Sequence, residues 1–565
     1  MVTVARVVVD VTGVDKSFDY LVPDVLAPRI EVGTRVRVAL HGREVPGWVM
    51  ALVEPHEAGV DLERLLPIRK VSSVGPSAEV VQLIEWASQR WASRRRPFFV
   101  SASPSTNVAR LHVPRYSPRR AAPTTDLIAR GGVVQVGPLS SGVDVVLAAA
   151  THGPLIVVTP TVVRARRLAA ECRRAGLTTA VLPDDWAAAA SGVDVVVGAR
   201  SAVWASVPHL AALIVLDEHD DTLQEERAPT WHAREVALER AKRAQVPCIL
   251  VSPVLTVAAR QWAGDRFIVA DDAGSWPRVR IVDRNTDERW ASSLVTSDLV
   301  ALLRDHKKRV VCVLNVKGRA RAVACDACRT VARCEACGAA VAQPERDTFE
   351  CPRCSTRRPV VCLACGSQKM RAIRIGITRL RDELEAAAGR RVQEVKPTTT
   401  LDPTVSVFVG TEAVLHRLDR ADAVVFLDVD AELLAPRFRA SEQTLDLLVH
   451  GARLVPDGEV VVQTTVPQHE VLIGVARGDL TAHHEAETER RRRMGLPPFG
   501  ALAEVSGAGT KNIVDQLASS LLVQVSAGDD RVLVRAATWD DLGEALRALD
   551  RPKERVRIAI DPPRA

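Results

Sequence analysis

At 565 residues the chain is long enough for about three to five domains, and its 47% hydrophobic content supports several buried cores. It contains no uninterrupted apolar stretch of about 18 residues, so we expect no membrane span. The net charge of +6 rests mostly on arginine, which suits phosphate contacts. A GC-rich genome produces the same bias, so the charge alone does not establish a nucleic-acid partner.

Residues 1–73 predict a small β-rich unit. The segment Met1–Asp10 has the pattern of a strand and lacks the basic start and cleavage site of a signal peptide, so we expect a cytoplasmic protein. Two Val-rich runs, Arg35–Val38 and Gly47–Val53, are separated by the turn-like His41–Arg43. This pattern is typical of short strands joined by a turn.

Helical and then alternating patterns follow. The spacing of apolar residues predicts a helix over 80–92, and a stretch rich in Pro, Arg and Ser at 114–125 predicts a linker. From residue 126, continuous apolar runs alternate with Ala/Arg-rich helical segments, which indicates βαβ units around buried parallel sheets. The runs are Leu155–Val158, Val195–Val197, Leu213–Leu216, Cys248–Val251, Val310–Leu314, Val405–Val409 and Ala423–Leu427.

Eight of the eleven cysteines form four Cys-x-x-Cys pairs in one window, namely Cys325/Cys328, Cys334/Cys337, Cys351/Cys354 and Cys362/Cys365. Each pair brings two thiolates to a tight turn, and two pairs complete a tetrahedral site, so we predict two structural zinc ions. Disulfides are the alternative, but they are rare in a long chain without a signal peptide, and a redox role fits one pair rather than four. Iron or an Fe–S cluster also uses four-cysteine sets, although zinc is the commoner occupant. The window interrupts the second α/β block, so we predict that it is an insertion.

Short motifs are spread along the chain in a defined order. They are Ser17–Pro23 (SFDYLVP), Glu31–Val38 (EVGTRVRV), Gly198–Ala202 (GARSA), Trp231–Arg234 (WHAR), Leu427–Asp430 (LDVD) and Arg490–Phe499 (RRRRMGLPPF). They are similar to the TFDYLLP, GxRVRV, GTRSA, YHAR, LDxD and RxxxxLPPF segments of the bacterial replication restart protein PriA family (primosomal protein N-prime). That family also carries eight cysteines in the second of its two parallel-sheet lobes. The resemblance covers nearly the whole chain.

The resemblance implies an α/β fold with two RecA-like helicase lobes, an inserted Cys-rich zinc module, an N-terminal β-rich DNA-binding domain and a C-terminal α+β domain. We predict six units. They are an N-terminal 3′-end DNA-binding domain at 1–73, a shortened winged-helix-like segment and linker at 74–125, a degenerate helicase lobe 1 at 126–275, a degenerate helicase lobe 2 at 276–320 and 371–465, a zinc-binding insertion at 321–370, and a C-terminal domain at 466–565.

The segment that matches the family's ATP-binding loop has lost its chemistry. A P-loop needs GxxxxGK[ST], in which the lysine neutralises the phosphates and the hydroxyl ligates Mg²⁺. The stretch Gly137–Asp144 keeps the two glycines, but Val143 stands at the lysine position and Asp144 at the Ser/Thr position. A carboxylate at that point repels the phosphates, so we predict that this loop does not support ordinary ATP hydrolysis.

The other helicase motifs depart from the family in the same direction. The family's DEEH becomes Asp217–Asp220, in which Asp217 and Glu218 either hold Mg²⁺ and a water or form an acidic loop with no role. In the arginine-finger segment Arg453 is offset by one position and the second arginine is absent. Losing an arginine finger alone typically costs roughly 10³ to 10⁵ in rate. We therefore predict a non-enzyme with no catalytic residue and no functional nucleotide-binding site.

The family's N-terminal domain captures the 3′ end of a nascent DNA strand. The resemblance places that role on Phe18, which would pack on the terminal base, and on Asp19, which would accept from its edge or the 3′-hydroxyl. The alternative is that both only shape a β-turn. The family's further contacts fall near Gly42 and near Arg69 or Lys70.

The resemblance implies a replication restart (primosome) protein that binds forked DNA and D-loops and helps reload the replicative helicase, here without ATPase or helicase activity. Its expected partners are forked or single-stranded DNA, the replicative helicase and its loader, and single-strand-binding protein, with no membrane. One rival prediction is an active ATP-dependent 3′→5′ DNA helicase with a rewired P-loop. The other is a zinc-ribbon nucleic-acid-binding protein outside replication.

Overall fold

The computed structural model of the chain describes most of its residues. The described ranges are 3–58, 61–118, 126–286, 294–314, 323–328, 330–336, 339–345, 347–351, 356–372, 377–527, 531–550 and 554–564. No helix within these ranges combines the length and the apolarity that a bilayer span requires.

An antiparallel five-stranded sheet begins the chain, in the order β2-β1-β4-β3-β5. Its strands are β1 (Val4–Val9), β2 (Ser17–Leu21), β3 (Arg35–Leu40), β4 (Arg43–Val53) and β5 (Lys70–Ser73). Apolar and polar residues alternate along β3, as in a strand with one buried face, because Val36 and Val38 are buried while Arg37 is exposed. His41 and Gly42 both have positive φ, as a two-residue hairpin turn requires. Two helices follow, α1 (Ala78–Arg90) and α2 (Arg96–Ala102).

The first lobe is a seven-stranded parallel sheet in the order β12-β6-β11-β10-β7-β9-β8. Its elements are α3 (Asp126–Arg130), β6 (Gly132–Gln135), α4 (Val143–Ala150), β7 (Leu155–Val158), α5 (Val162–Arg174), β8 (Thr179–Val181), α6 (Trp186–Ser191), β9 (Val195–Gly198), β10 (Ala212–Leu216), α7 (Ala233–Ala244), β11 (Cys248–Ser252), α8 (Val257–Ala263) and β12 (Phe267–Val269). The four central strands are buried on both faces, which is why their sequences are continuous apolar runs.

The second lobe begins with three elements and is then interrupted. These are β13 (Arg278–Asp283), α9 (Ser297–Arg304) and β14 (Val310–Val313). The inserted cysteine-rich module contains β15 (Val323–Cys325), β16 (Ala342–Glu345), β17 (Thr348–Glu350), β18 (Arg357–Pro359) and β19 (Met370–Ala372). A main-chain hydrogen bond from Ala340 to Leu434 fastens the module to the lobe. The prediction of an insertion is confirmed.

The lobe resumes after the module and closes a six-stranded parallel sheet in the order β13-β23-β22-β14-β21-β20. Its remaining elements are α10 (Ile377–Ala388), β20 (Val392–Val395), β21 (Val407–Gly410), β22 (Ala423–Phe426), α11 (Asp430–Leu433), α12 (Ala440–Leu454), β23 (Glu459–Thr464) and α13 (Glu470–Arg477). Helix α12 is buried along most of its length because it packs between the two lobes.

An α+β unit ends the chain. It contains α14 (Thr481–Met494), β24 (Ala501–Ser506), α15 (Thr510–Leu517), β25 (Val523–Ala527), β26 (Arg531–Ala536), α16 (Trp539–Arg547) and β27 (Arg557–Ile560). Its antiparallel sheet has the order β25-β26-β24-β27. The Thr230 hydroxyl and the Gln224 amide of lobe 1 donate to the carbonyls of Ile560 and Asp561. The predicted fold class, with its two parallel-sheet lobes, β-rich N-terminus and α+β C-terminus, is confirmed.

Candidate functional site

The loop after β6 has the place of a phosphate-binding loop but satisfies its own amides. It runs from Gly137 to Gly142, whose φ of 72° lies in the left-handed region, and α4 begins at Val143. The backbone amides of Gly142 and Val143 donate to the hydroxyl oxygens of Ser140 and Ser141, both at 3.3 Å. In a working P-loop such amides face phosphate oxygens. Here the acceptors for these two amides are serine side chains of the loop itself.

Val143 and Asp144 stand where the sequence placed them, at the start of α4. Val143 is half-buried against the core of lobe 1, and Asp144 is exposed in the first turn. An acidic side chain there stabilises the positive end of the helix dipole, which a phosphate would otherwise do. The Asp144 carboxylate therefore stabilises the helix itself, and the segment 137–144 contains no lysine or arginine that could bind a phosphate.

Asp217, at the end of β10, is held by two arginines from different lobes. Its carboxylate lies 2.5 Å from Nη2 of Arg453 in α12 and 2.8 Å from Nε of Arg164 in α5. Arg453 also donates from Nε to the carbonyl of Pro138 in the degenerate loop, at 2.9 Å. Burial raises the pKa of Asp217, but the two guanidinium groups outweigh it and hold the pKa below its ordinary value. The Asp217 carboxylate is therefore paired with one guanidinium group from each lobe.

Glu218 is also engaged. It is fully buried and lies 2.8 Å from Nη1 of Arg234, and it accepts from the backbone amide and the hydroxyl of Thr256 at 2.7 and 2.9 Å. Among the described residues, the groups that can hold a metal ion do not include Asp217 or Glu218. The absence of Mg²⁺ at this pair stays a prediction.

The first and last Cys-x-x-Cys pairs come together in one cluster. Sγ of Cys325 lies 3.5 Å from Sγ of Cys365, and Sγ of Cys328 lies 3.4 Å from Sγ of Cys362. All four sulfurs lie within 4.8 Å of one another. Ligands at the 2.3 Å length of a zinc–sulfur bond are about 3.8 Å apart in a tetrahedron, so the cluster fits a zinc ion. The Thr330 hydroxyl and amide lower the pKa of Cys328 to about 6, which favours the thiolate.

All four Cys-x-x-Cys segments are closed by the same kind of main-chain hydrogen bond. The amide of the first cysteine donates to the carbonyl five residues later at 2.8 to 2.9 Å, in the pairs Cys325–Thr330, Cys334–Ala339, Cys351–Thr356 and Cys362–Ser367. The middle segments contribute Cys334 and Cys351, both buried in the module core, whereas Cys337 and Cys354 lie outside the described residues.

The predicted 3′-end residues lie on the edge strand β2. Phe18 is half-buried against the N-terminal core, and Asp19, on the opposite face, pairs with Arg6 at 3.0 and 3.2 Å. The chain at 66–68 hydrogen-bonds to Leu21 at the end of β2 and leads into the exposed Arg69 and Lys70. Gly42 lies in the β3–β4 turn, with open space where a side chain would stand. The roles of Phe18 and Asp19 in DNA binding stay predictions.

Sequence reasoning missed Arg164, Arg234 and Thr256. Arg164 is one of several arginines in the Ala/Arg-rich α5, and nothing in its spacing distinguishes it. Arg234 lies in the WHAR motif, but its partner Glu218 is 16 residues away, and nothing in the local sequence pairs the two.

The chain is similar to several known proteins. Residues 6–104 match the family described as 3′DNA-binding domain (3′BD). The probable replication restart protein PriA of Mycobacterium tuberculosis (strain CDC 1551 / Oshkosh) is 28% identical, over 88% of this chain and 85% of that protein. The replication restart protein PriA of Bacillus subtilis is 27% identical, over 59% of this chain and 45% of that protein. The E. coli DExH-box NTPase HrpB aligns with a TM-score of 0.34 and 12% identity, over 60% of this chain and 40% of that one.

Proposed function

Since this chain is related to the replication restart proteins PriA over most of its length, we propose that it is a replication restart factor that works without hydrolysing ATP. It binds forked DNA and D-loops in the cytoplasm and helps reload the replicative helicase. Its partners on this proposal are the replicative helicase, the helicase loader and single-strand-binding protein. The observation that supports the absence of ATP hydrolysis is the pairing of Asp217 with Arg453 of lobe 2 and with Arg164 of its own lobe, at the cleft between the two lobes.

The cleft chemistry supports the loss of hydrolysis. An NTPase needs a cation on the β,γ-phosphates, a hydroxyl on Mg²⁺ and a carboxylate open to the metal. This loop offers Val143 and Asp144 at the first two positions, and the carboxylate of Asp217 is occupied by guanidinium groups. Nucleotide binding would have to break a buried ion pair and place phosphate next to Asp144. The loss of the ion pair and the repulsion by Asp144 both oppose nucleotide binding and hydrolysis.

The contacts between the lobes support a scaffold role. Besides the Arg453–Asp217 pair, the backbone amide of Val257 donates to Glu442 and the Gln443 amide donates to Asp221, both at 2.9 Å. All three contacts come from α12. In an active helicase, nucleotide binding drives the lobes together. Here side chains supply that closure, so the proposed factor holds one lobe arrangement throughout.

The zinc module is proposed to carry two ions. The outer cysteines form a cluster that fits zinc, and the inner Cys-x-x-Cys segments repeat the main-chain hydrogen bond of the outer ones. Zinc would supply the folding energy of a module whose own core is small, because its described buried apolar cluster contains eight residues. A rigid module on lobe 2 offers a platform for partner proteins and DNA.

The DNA-binding part of the proposal is tested at the edge strand β2. Phe18→Leu keeps the core contact but removes the aromatic face, and we expect about tenfold weaker binding to a fork with a 3′-hydroxyl at its junction. Binding to blunt duplex should change by less than about twofold, because phosphate contacts dominate there. Fluorescence anisotropy with the two DNAs at one salt concentration measures both.

Asp19→Asn should act in the same direction, with Arg6→Gln as its matched control. Arg6→Gln breaks the same ion pair and leaves the Asp19 carboxylate in place. If Arg6→Gln weakens fork binding as much as Asp19→Asn does, the carboxylate serves only the fold. If Phe18→Leu weakens fork and blunt duplex equally, the 3′-end pocket is wrong and the chain is a general nucleic-acid binder.

A further inference from the structure

Three side chains that can ligate a metal, those of Asp220, Asp446 and His450, converge at the interface of the lobes, and His219 lies beside them. His219 and Asp220 follow β10 in lobe 1, whereas Asp446 and His450 lie four residues apart on α12 in lobe 2. Residues at that spacing share one face of a helix. The side chains of His219 and Asp220 are each 1% exposed, that of Asp446 is 7% exposed and that of His450 is 12% exposed.

The ligand atoms of Asp220, Asp446 and His450 all lie within 4.8 Å of one another, as ligands around an ion do, and His219 adjoins this group at Asp446. Nε2 of His450 lies 3.4 Å from Oδ2 of Asp220 and 3.3 Å from Oδ1 of Asp446. Nε2 of His219 lies 3.5 Å from the same oxygen of Asp446. A charged hydrogen bond would be shorter, about 2.7 to 2.9 Å. Ligands bound at 2.0 to 2.1 Å around a tetrahedral zinc ion are about 3.4 Å apart.

Three of the four atoms have no hydrogen-bond partner although they are buried. They are Nε2 of His219, Oδ2 of Asp220 and Oδ1 of Asp446. A buried polar atom without a partner destabilises the fold. The carboxylate oxygens of Asp220 and Asp446 both belong to the group that can hold an ion, so one bound cation would satisfy both of them.

The surrounding hydrogen bonds fix the orientation of the His219 ring beside this group. Its Nδ1 lies 2.6 Å from Oγ of Ser252, and the Ser252 hydroxyl donates its only hydrogen to the carbonyl of Val254 at 2.6 Å. Nδ1 of His219 must therefore be the donor, so in the neutral ring Nε2 carries the lone pair. That lone pair faces a carboxylate oxygen of Asp446, which is a repulsive contact unless a cation lies between them.

Asp220 is oriented in the same way. Its Oδ1 accepts from the backbone amide and the hydroxyl of Thr222, at 2.9 and 2.5 Å. These bonds leave Oδ2 directed at His450 and Asp446. Fixing one oxygen of a carboxylate, or one nitrogen of an imidazole, is how proteins position metal ligands.

We propose that Asp220, Asp446 and His450 bind a divalent transition-metal ion, zinc foremost, that clamps the two lobes together. Two carboxylates balance the charge of a dication, and a donor set of two carboxylates and one neutral imidazole suits zinc and its neighbours better than Mg²⁺ or Ca²⁺. Lobe 1 supplies Asp220, and lobe 2 supplies Asp446 and His450, so the ion links the lobes directly. The site is separate from the cysteine cluster and does not depend on the proposed role in replication.

X-ray absorption at the zinc edge of the full-length protein tests the site without any substitution. The cysteine module contributes only sulfur ligands near 2.3 Å, whereas the clamp contributes nitrogen and oxygen near 2.0 to 2.1 Å. We expect both shells, and a nitrogen/oxygen shell around any other bound transition metal supports the site equally. A spectrum in which sulfur ligands account for all bound metal overturns the proposal. The group would then consist of a protonated His450 between two carboxylates, with no metal ion.

Elemental analysis of variants tests whether the nitrogen/oxygen shell comes from the proposed ligands. His450→Ala should lower the metal content by about one ion per chain and remove the nitrogen/oxygen shell, with the sulfur shell unchanged. The matched control is Asp221→Asn, because Asp221 is the neighbouring carboxylate at the same interface and pairs with Gln443. If His450→Ala keeps the wild-type metal content and spectrum, the site is wrong. Should that variant fail to fold, the wild-type spectrum still decides.

Discussion

Replacing Cys325 with alanine is expected to remove one zinc ion per chain and to unfold the cysteine-rich module. Cys325 is fully buried at the end of β15, and its sulfur faces that of Cys365 in the outer cluster. Metal binding supplies about 10 to 16 kcal/mol of folding free energy in small zinc domains, far more than the module's own core can replace. Elemental analysis together with limited proteolysis between β15 and β19 measures both effects.

The control for this experiment is Cys172→Ala. Cys172 is also fully buried, but it lies in the core of lobe 1 and far along the chain from the module. We expect its zinc content and proteolysis pattern to match those of the unmodified protein. A Cys325→Ala protein that keeps its zinc and its protease resistance would show that the outer cluster is not a structural metal site.

Asp217→Ala is expected to destabilise the protein by about 3 kcal/mol or more. The change leaves Arg164 and Arg453 facing each other in a buried cleft without the carboxylate that now neutralises them. Breaking a buried ion pair by removing one partner typically costs about 3 to 5 kcal/mol, because the remaining charge is uncompensated. Urea unfolding followed by fluorescence measures the free energy of unfolding.

Asp419→Ala is the matched control, because the Asp419–Arg167 pair also joins the two lobes. Its side chains are 93% and 71% exposed, so water already screens it and we expect a change below about 1 kcal/mol. Equal losses of unfolding free energy in the two variants would contradict the conclusion that the buried ion pairs of Asp217 stabilise the fold.

The pH dependence follows from the lowered pKa of Asp217. A carboxylate whose pKa is lower when folded stabilises the protein above its unfolded pKa of about 3.9 and loses that effect as the pH falls through the folded pKa. The difference between wild type and Asp217→Ala should therefore stay constant from about pH 5 to 8 and shrink only under strongly acidic conditions.

The parallel sheets could be predicted closely from local sequence. The run Leu155–Val158 is β7 residue for residue, and Leu213–Leu216 lies within β10, because a strand buried on both faces needs an uninterrupted apolar run. The helix predicted at 80–92 lies at Ala78–Arg90. The cysteine spacing likewise indicated a metal site, since two Cys-x-x-Cys turns carry most of its geometry.

The contacts that fill the cleft could not be predicted in this way. Asp217 and Arg453 are 236 residues apart, and their pairing exists only because α12 packs against lobe 1. The run Arg490–Arg493 looks uniform in sequence, yet Arg491 is buried against Glu442 and Glu487 while Arg493 is exposed. Such differences depend on which helix face meets a neighbouring domain, and a single sequence does not encode that locally.

The most direct test of the account is ATP hydrolysis by pure, zinc-replete protein with and without forked DNA, with fork binding measured in the same buffer. We expect tight fork binding and no DNA-stimulated turnover, because Arg164 and Arg453 occupy the carboxylate that Mg²⁺ would need. Robust turnover that forked DNA stimulates, and that substitution of Asp217 or Glu218 abolishes, would show instead an active helicase with a rewired P-loop.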